Sequence, residues 1–138
     1  MWTYENKEFT SEMIGEYIGF VYEITDTSNG MKYIGKKLFV SKVTKPPLKG
    51  KKNKRRSVKE SDWKTYCGSN DEVKQLVEQY GLERFNRRIL RLCKSKGSLN
   101  YYEMYEQMVN HVLLKPTEYY NQYIGGRIHR KHVYPAEK

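Results

Sequence analysis

The sequence predicts an α+β fold in which a small antiparallel β-sheet of about three strands is covered by helices. Three observations carry this expectation. Two β-favouring runs flank an Asn-Gly turn signal between residues 17 and 34, and a third apolar run spans residues 85–92. The segments on either side of that third run carry apolar residues at helical spacing. A chain of 138 residues can bury one core without disulfides or a metal staple.

Taken in order, residues 1–16 show no clear period and read as a lead-in segment with a short helix around Phe9 to Ile14. From Tyr17 the apolar and β-branched residues Ile18, Phe20, Val21, Tyr22 and Ile24 mark a strand. The Asn29-Gly30 pair marks a turn, and Lys32-Tyr33-Ile34 marks the returning strand of a hairpin. Residues 45–59 hold eight Lys or Arg, two Pro and no carboxylate, so like-charge repulsion and Pro-Pro predict a basic loop. Ser69 or Asn70 can cap a helix whose face is Val73, Leu76, Val77 and Tyr80 and whose end is Gly81. Phe85 to Leu92 reads as a strand. A second helix runs from about Ser98 to Leu114 and is stopped by Pro116. The organisation expected is one domain over 17–123, followed by a basic tail over 124–138.

Lys and Arg number 26 against 16 acidic residues, giving a net charge of +10 and a pI of about 9.5. Such a field draws in polyanions. Aromatic residues make up 14% of the chain, 13 of them Tyr, and phenols that stack on bases or reach phosphates favour nucleic acid over a membrane surface. No segment approaches the roughly 20 apolar residues of a membrane span, and no signal-like start is present, so a cytoplasmic location is expected. Cys67 and Cys93 form no CxxC and read as ordinary reduced thiols. His129 and His132 sit among Arg127, Arg130 and Lys131 without a nearby third ligand, and read as part of a phosphate-facing tail.

At the hairpin the residues become specific. Gly19-Phe20-Val21-Tyr22 is followed, ten residues on, by Tyr33-Ile34-Gly35. Trp63-Lys64-Thr65-Tyr66-Cys67-Gly68-Ser69, Tyr80-Gly81 and Phe85 come next. Tyr102-Glu103 with Gln107 one turn on, and then Tyr119-Tyr120-Asn121, close the series. This succession resembles the GIY-YIG endonuclease superfamily, in particular its bacteriophage-encoded, homing-endonuclease-type members, over about residues 17 to 123. Phe20-Val21-Tyr22 stands where Gly-Ile-Tyr is usual, with Gly19 one position upstream, whereas Tyr33-Ile34-Gly35 matches without change. Tyr123-Ile124-Gly125 repeats the second tripeptide with no hairpin before it.

The resemblance implies a metal-dependent endonuclease acting on double-stranded DNA with Mg²⁺, or Mn²⁺ in its place. It implies that Tyr22 and Tyr33 work at the scissile phosphate, that a helix Glu holds the metal, and that Asn121 ties the end of that helix to the core. Glu103 is the favoured Glu and Glu106 the alternate, since positions three apart lie near one helix face. Family members place a cation, usually Arg, on a helix after the second tripeptide. Here the stretch offers Lys42 nearest that position, with Lys36 and Lys37 as alternates, and a Lys neutralises a phosphate as a point charge without a bidentate fork.

The chemistry suits these residue types. Phosphodiester hydrolysis needs an aligned water and positive charge where negative charge develops, and Mg²⁺ takes only one or two protein carboxylates. A tyrosine begins as a weak base, with on the order of one in a thousand ionised at pH 7. The DNA backbone would be gripped by Lys36, Lys37, Lys49, Lys51, Lys52, Lys54, Arg55, Arg56, Arg127 and Arg130. Recognition beyond that would come from a homodimer partner or an accessory DNA-reading protein. Competing readings are a non-catalytic nucleic-acid-binding protein on a degenerate nuclease fold, and a nuclease of restriction or repair type.

Overall fold

The computed structural model describes residues 1–45, 47, 49–50 and 55–125, with the side chains of 42–45 and 55–58 also outside the description. The strands are β1 (Trp2–Tyr4), β2 (Lys7–Glu8), β3 (Gly19–Asp26), β4 (Lys32–Leu38), β5 (Val40–Lys45), β6 (Arg55–Glu60) and β7 (Phe85–Cys93). The helices are α1 (Asp71–Tyr80) and α2 (Lys96–Val109), with short 3-10 turns at Ser11–Met13, Leu82–Arg84 and Val112–Leu114. The α+β class is as the sequence predicts, but the sheet is larger. Five strands run in the order β2-β1-β7-β3-β4, and β5 and β6 form a separate two-stranded ribbon.

The expected lead-in segment is part of the fold. β1 pairs parallel with β7, which makes the sheet mixed rather than antiparallel, and Trp2 is 1% exposed. Its indole N–H donates to the Trp63 carbonyl at 2.6 Å, and its ring packs edge-on to Phe20 at 4.9 Å. A three-residue strand has no period to read, so this role depends on partners more than 60 positions away. Phe9 lies outside any helix and stacks on Phe39 at 5.4 Å.

β3 is the centre. It pairs with β4 on one side and β7 on the other, and its alternation divides the core. Phe20, Tyr22 and Ile24 enter one cluster with Trp2, Phe39, Trp63 and Val73, while Val21 enters the other with Ile34, Leu99 and Val112 beneath α2. Both faces are therefore covered, which explains the nearly continuous apolar run. Opposite Val21 and Tyr22 the register slips by one residue, leaving Leu90 of β7 as the extra residue of a bulge beside Tyr22.

α1 forms as read: the Asn70 side chain accepts from the Val73 N–H, and Gly81 ends the helix at φ 91°. α2 begins at the Ser95 cap and stops at Val109, five residues before the expected Leu114. The Asn110 amide donates to the Glu106 carbonyl at 2.7 Å and His111 turns left-handed at φ 55°, which breaks the helix and tucks Val112 into the core. The 45–59 stretch is not all loop. Residues 40–45 pair antiparallel with 55–60, and Lys45 stands opposite Arg55, so backbone pairing forms there despite the like charges. The ribbon is anchored at its base by Phe39, which is fully buried, and by the Ser61 hydroxyl donating to the Leu38 carbonyl at 2.6 Å.

One buried carboxylate joins the hairpin to the far end of the chain. Asp26, with no exposed surface, accepts both Nε and Nη2 of Arg84 at 2.9 and 3.1 Å, the Ser28 hydroxyl at 2.7 Å and the Tyr120 hydroxyl at 2.8 Å. Burial pushes its pKa upward, but the bonds from Arg84, Ser28 and Tyr120 outweigh that and hold it well below the ordinary carboxylate range. A depressed folded pKa gives stability that is complete above the unfolded value of about 3.9 and is lost as pH falls below it. Asp26→Asn is expected to lower the melting temperature by roughly 5–10 °C at pH 7. It should also flatten the loss of stability between about pH 4 and pH 2, measured by thermal scans at several pH values. An unchanged acid slope would remove Asp26 from this role.

Candidate active site at the edge of the sheet

β4 is the edge strand, so side chains from both of its faces meet at its open side. Tyr33 and Gly35 lie on the α1 face and Ile34 and Lys36 on the α2 face. The outward N–H and C=O of Ile34, which a further strand would otherwise pair, are taken by side chains. Ile34 N–H donates to Asn121 Oδ1 at 3.1 Å, and the Ile34 carbonyl accepts from Asn121 Nδ2 at 2.8 Å and from Gln107 Nε2 at 2.9 Å. Asn121 thus ties the segment after α2 to the sheet, and Gln107 fixes the rotation of α2. One turn earlier, Glu103 then faces the same edge.

The result is an open cleft of about 510 Å³ whose wall includes Tyr33, Lys36, Tyr66, Ser69, Glu103 and Gln107. Lys36 Nζ lies 3.8 Å from the Glu103 carboxylate and also bonds Asn100 Oδ1. Burial raises the pKa of Glu103 and Lys36 pulls it back, so a half-buried carboxylate with one cation beside it waits at the cleft. The Tyr33 hydroxyl is 3.1 Å from Ser69 Oγ. Burial raises its pKa too, with the Ser69 bond acting the other way. Gln107 Oε1 is a buried acceptor that no donor among the described residues meets. Glu106, by contrast, points away from the cleft and pairs with Arg91 at 3.2 Å.

Residues 32–38 and 40–45 are strands, with no helix after the second tripeptide, and Lys42 sits in the ribbon with only its backbone described. Lys36 is the cation that the described side chains place at the cleft. Lys37, on the opposite face of β4, pairs with Asp62 at 2.6 Å and lies 4.2 Å over the Tyr66 ring. Of the residues expected on DNA, Lys49 lies in an exposed turn. Arg55 and Arg56 are in β6 without described side chains, and Lys51, Lys52, Lys54, Arg127 and Arg130 lie outside the described residues, as do His129 and His132.

Tyr22 is 1% exposed and does not line the cleft. It lies behind Gly35, where a Cβ would come 2.5 Å from the Tyr22 hydroxyl and 3.0 Å from the Tyr33 ring. That close approach is the physical reason for glycine at the end of the second tripeptide. Gly19 has a similar reason, since a Cβ there would meet the Lys37 carbonyl at 2.7 Å and Leu99 at 2.8 Å. The repeated Tyr123-Ile124-Gly125 forms no strand, yet Tyr123 and Gly125 reach the cleft rim. Sequence reasoning named neither Tyr66 nor Arg87 as a site residue. Arg87, 5% exposed in β7, donates to the Lys64 and Tyr66 carbonyls at 2.8 and 2.9 Å and fixes that segment. The signal for Tyr66 was its place beside Gly68 in the quoted tract, but no spacing rule links it to the hairpin. Cys67 and Cys93 are buried free thiols, and burial pushes Cys67 up to about 11.

Five strands rather than about three carry this edge, where Tyr33 and Glu103 line one cleft and Asn121 closes the strand. The family model described as "Putative endonuclease segE, GIY-YIG domain" matches residues 2–124, and the chain belongs to this family. It is 33% identical over 107 residues to "Putative endonuclease segE" of Enterobacteria phage T4, which covers 78% of this chain and 42% of that protein. It is 29% identical over 107 residues to "Putative endonuclease segD" of the same phage, covering 78% of this chain and 38% of that protein. The chain therefore spans less than half the length of these curated relatives. No solved structure matches it.

Gly35→Ala is expected to leave the circular dichroism spectrum intact while displacing Tyr22 and Tyr33, because the added methyl group has no free volume. A destabilisation of about 1–3 kcal/mol in urea denaturation is the expected scale. Unchanged stability would mean that the tyrosines do not abut this glycine.

Proposed function

We propose that this chain is a metal-dependent DNA endonuclease of the phage homing type, hydrolysing phosphodiester bonds at the β4 edge. The observation that carries the reading is the convergence of Tyr33, Lys36 and Glu103 on one open cleft from two faces of the sheet.

The donor set suits Mg²⁺ or Mn²⁺. Glu103 offers a half-buried carboxylate, and the orphaned Oε1 of Gln107 lies one turn along the same helix. Among the described residues no cluster of three or more His, Cys, Asp or Glu exists, and Mg²⁺ commonly keeps several waters while taking one or two carboxylates. When bound, the ion would supply Lewis acidity to the phosphate and a more acidic water.

The protein's own groups supply the rest. Lys36 adds positive charge beside Glu103, where negative charge builds on the phosphate. Tyr33, with its pKa raised by burial, keeps its proton at neutral pH and serves as a hydrogen-bond donor to a phosphate oxygen rather than as a base. Asn121 and Gln107 hold strand and helix at fixed separation, so that these groups do not reorganise during reaction. Double-stranded DNA is the proposed partner, drawn by the net charge of +10, with the basic 45–59 stretch on its backbone and sequence reading left to a second copy or an accessory protein. Among the described residues no helix is long and apolar enough to cross a membrane. A cytoplasmic location is proposed with this reading.

Nicking of supercoiled plasmid tests it. Wild type is expected to cut with Mg²⁺ and not in EDTA, and Glu103→Gln should lose at least ~100-fold in rate while keeping DNA affinity within a few-fold. Mn²⁺ binding followed by calorimetry should weaken in Glu103→Gln and persist in Glu106→Gln. Full activity in EDTA, or in Glu103→Gln, would overturn the proposal.

A further inference from the structure

We propose that Tyr66 is a second phenol, beside Tyr33, that donates to the substrate phosphate from the α1 side of the cleft, and that Tyr22 is a positioning residue acting through it. This rests on the nuclease reading and deepens it at the same site. Tyr22 stands in the first tripeptide, yet its hydroxyl is buried under Gly35 and its ring is 1% exposed, so it does not itself reach the cleft. Tyr66 meets the Tyr22 ring edge-on at 6.0 Å and 78° and lines the cleft with Tyr33 and Glu103.

Tyr66 is held from three directions. Buried Arg87 donates to its carbonyl at 2.9 Å, Tyr22 packs against one side, and Lys37 lies 4.2 Å over its ring. Lys37 is itself held by Asp62 at 2.6 Å. A surface tyrosine with only a packing role needs none of these restraints. Together they hold the Tyr66 backbone and ring in place, which is the requirement for a group that stabilises charge without reorganisation.

The chemistry follows from the order of the groups. Burial raises the pKa of Tyr22, so Tyr22 keeps its proton, and across the edge-on ring contact it is the proposed donor to the Tyr66 oxygen. A phenol that accepts one hydrogen bond becomes a stronger donor of its own O–H. An ammonium over the ring withdraws electron density further. Tyr66 then presents a polarised O–H to a non-bridging phosphate oxygen, and no proton changes hands.

The test is single-turnover nicking of supercoiled plasmid with Mg²⁺ by wild type, Tyr22→Phe, Tyr66→Phe and the double variant, with DNA affinity and melting temperature measured beside it. Tyr66→Phe should lose ~100- to 1,000-fold in rate with affinity within a few-fold, the scale of one charge-stabilising donor. Tyr22→Phe should lose about tenfold, and the double variant should be no slower than Tyr66→Phe within about threefold, because the two hydroxyls act as one unit. As a second readout, 3-fluorotyrosine placed at 66 keeps the ring and makes the phenol more acidic, so the high-pH fall in rate should move to lower pH. The same replacement at 22 should barely move it. A wild type that cuts in no divalent ion would remove the nuclease reading and this inference with it. A wild type that cuts while Tyr66→Phe cuts equally well, losses at 22 and 66 that multiply, or a pH profile indifferent to fluorination at 66 would overturn this inference alone.

Discussion

The arrangement depends on how the free edge of β4 is closed. A sheet edge exposes an N–H and a C=O every second residue, and at Ile34 these lie between the tyrosine and the glycine of the second tripeptide. Asn121 satisfies both and Gln107 adds a second bond to the carbonyl, so two side chains do the work of a sixth strand. These side chains continue an edge that the backbone closes at Lys32, whose N–H donates to the Glu118 carbonyl at 2.9 Å and whose carbonyl accepts from the Tyr120 N–H at 2.7 Å. The Gln107 bond also fixes α2 against the sheet, and the helix in turn brings Glu103 to the opening. Asp26 reinforces this from the other end of the hairpin, because its bond to Tyr120 holds the residue immediately before Asn121.

An edge site also gathers groups that one face of a sheet would keep apart. Tyr33 and Tyr66 arrive from the α1 face, Lys36 and Glu103 from the α2 face, and they meet only because no further strand pairs with β4. The electrostatics are correspondingly simple. The half-buried Glu103 carboxylate, raised by burial, has the Lys36 ammonium nearby, and the Tyr33 phenol beside it is raised by the same desolvation. The chain as a whole is strongly basic, so the carboxylates of the cleft are a local exception within a field that attracts polyanions.

Much of the fold was legible because it rests on local chemistry. The Asn29-Gly30 turn, the Asn70 cap, the Gly81 stop and the apolar run of β7 each follow from backbone preferences or from a period that neighbours do not alter. The elements that were missed share a different cause. Trp2 reads as lead-in because its partners, Phe20 and Trp63, are distant, and most of β6 falls in the 45–59 stretch that reads as loop because like charges dominate it. α2 ends early at His111 through a left-handed turn that no sequence pattern demands of a histidine.

The sequence by itself determined the α+β class and the family, because ordered motifs survive without coordinates. It put Tyr33 on a strand and Glu103 on a helix, where they lie, and left Glu103 and Glu106 as alternates. Only the tertiary structure decided which side of α2 faces the sheet edge, since that rotation is set by Gln107 bonding Ile34, 73 positions away. It also decided that Lys36 stands beside Glu103 and that Tyr66 packs edge-on against Tyr22. Those outcomes depend on which face of a strand each residue occupies and on where the sheet stops, and linear spacing carries neither.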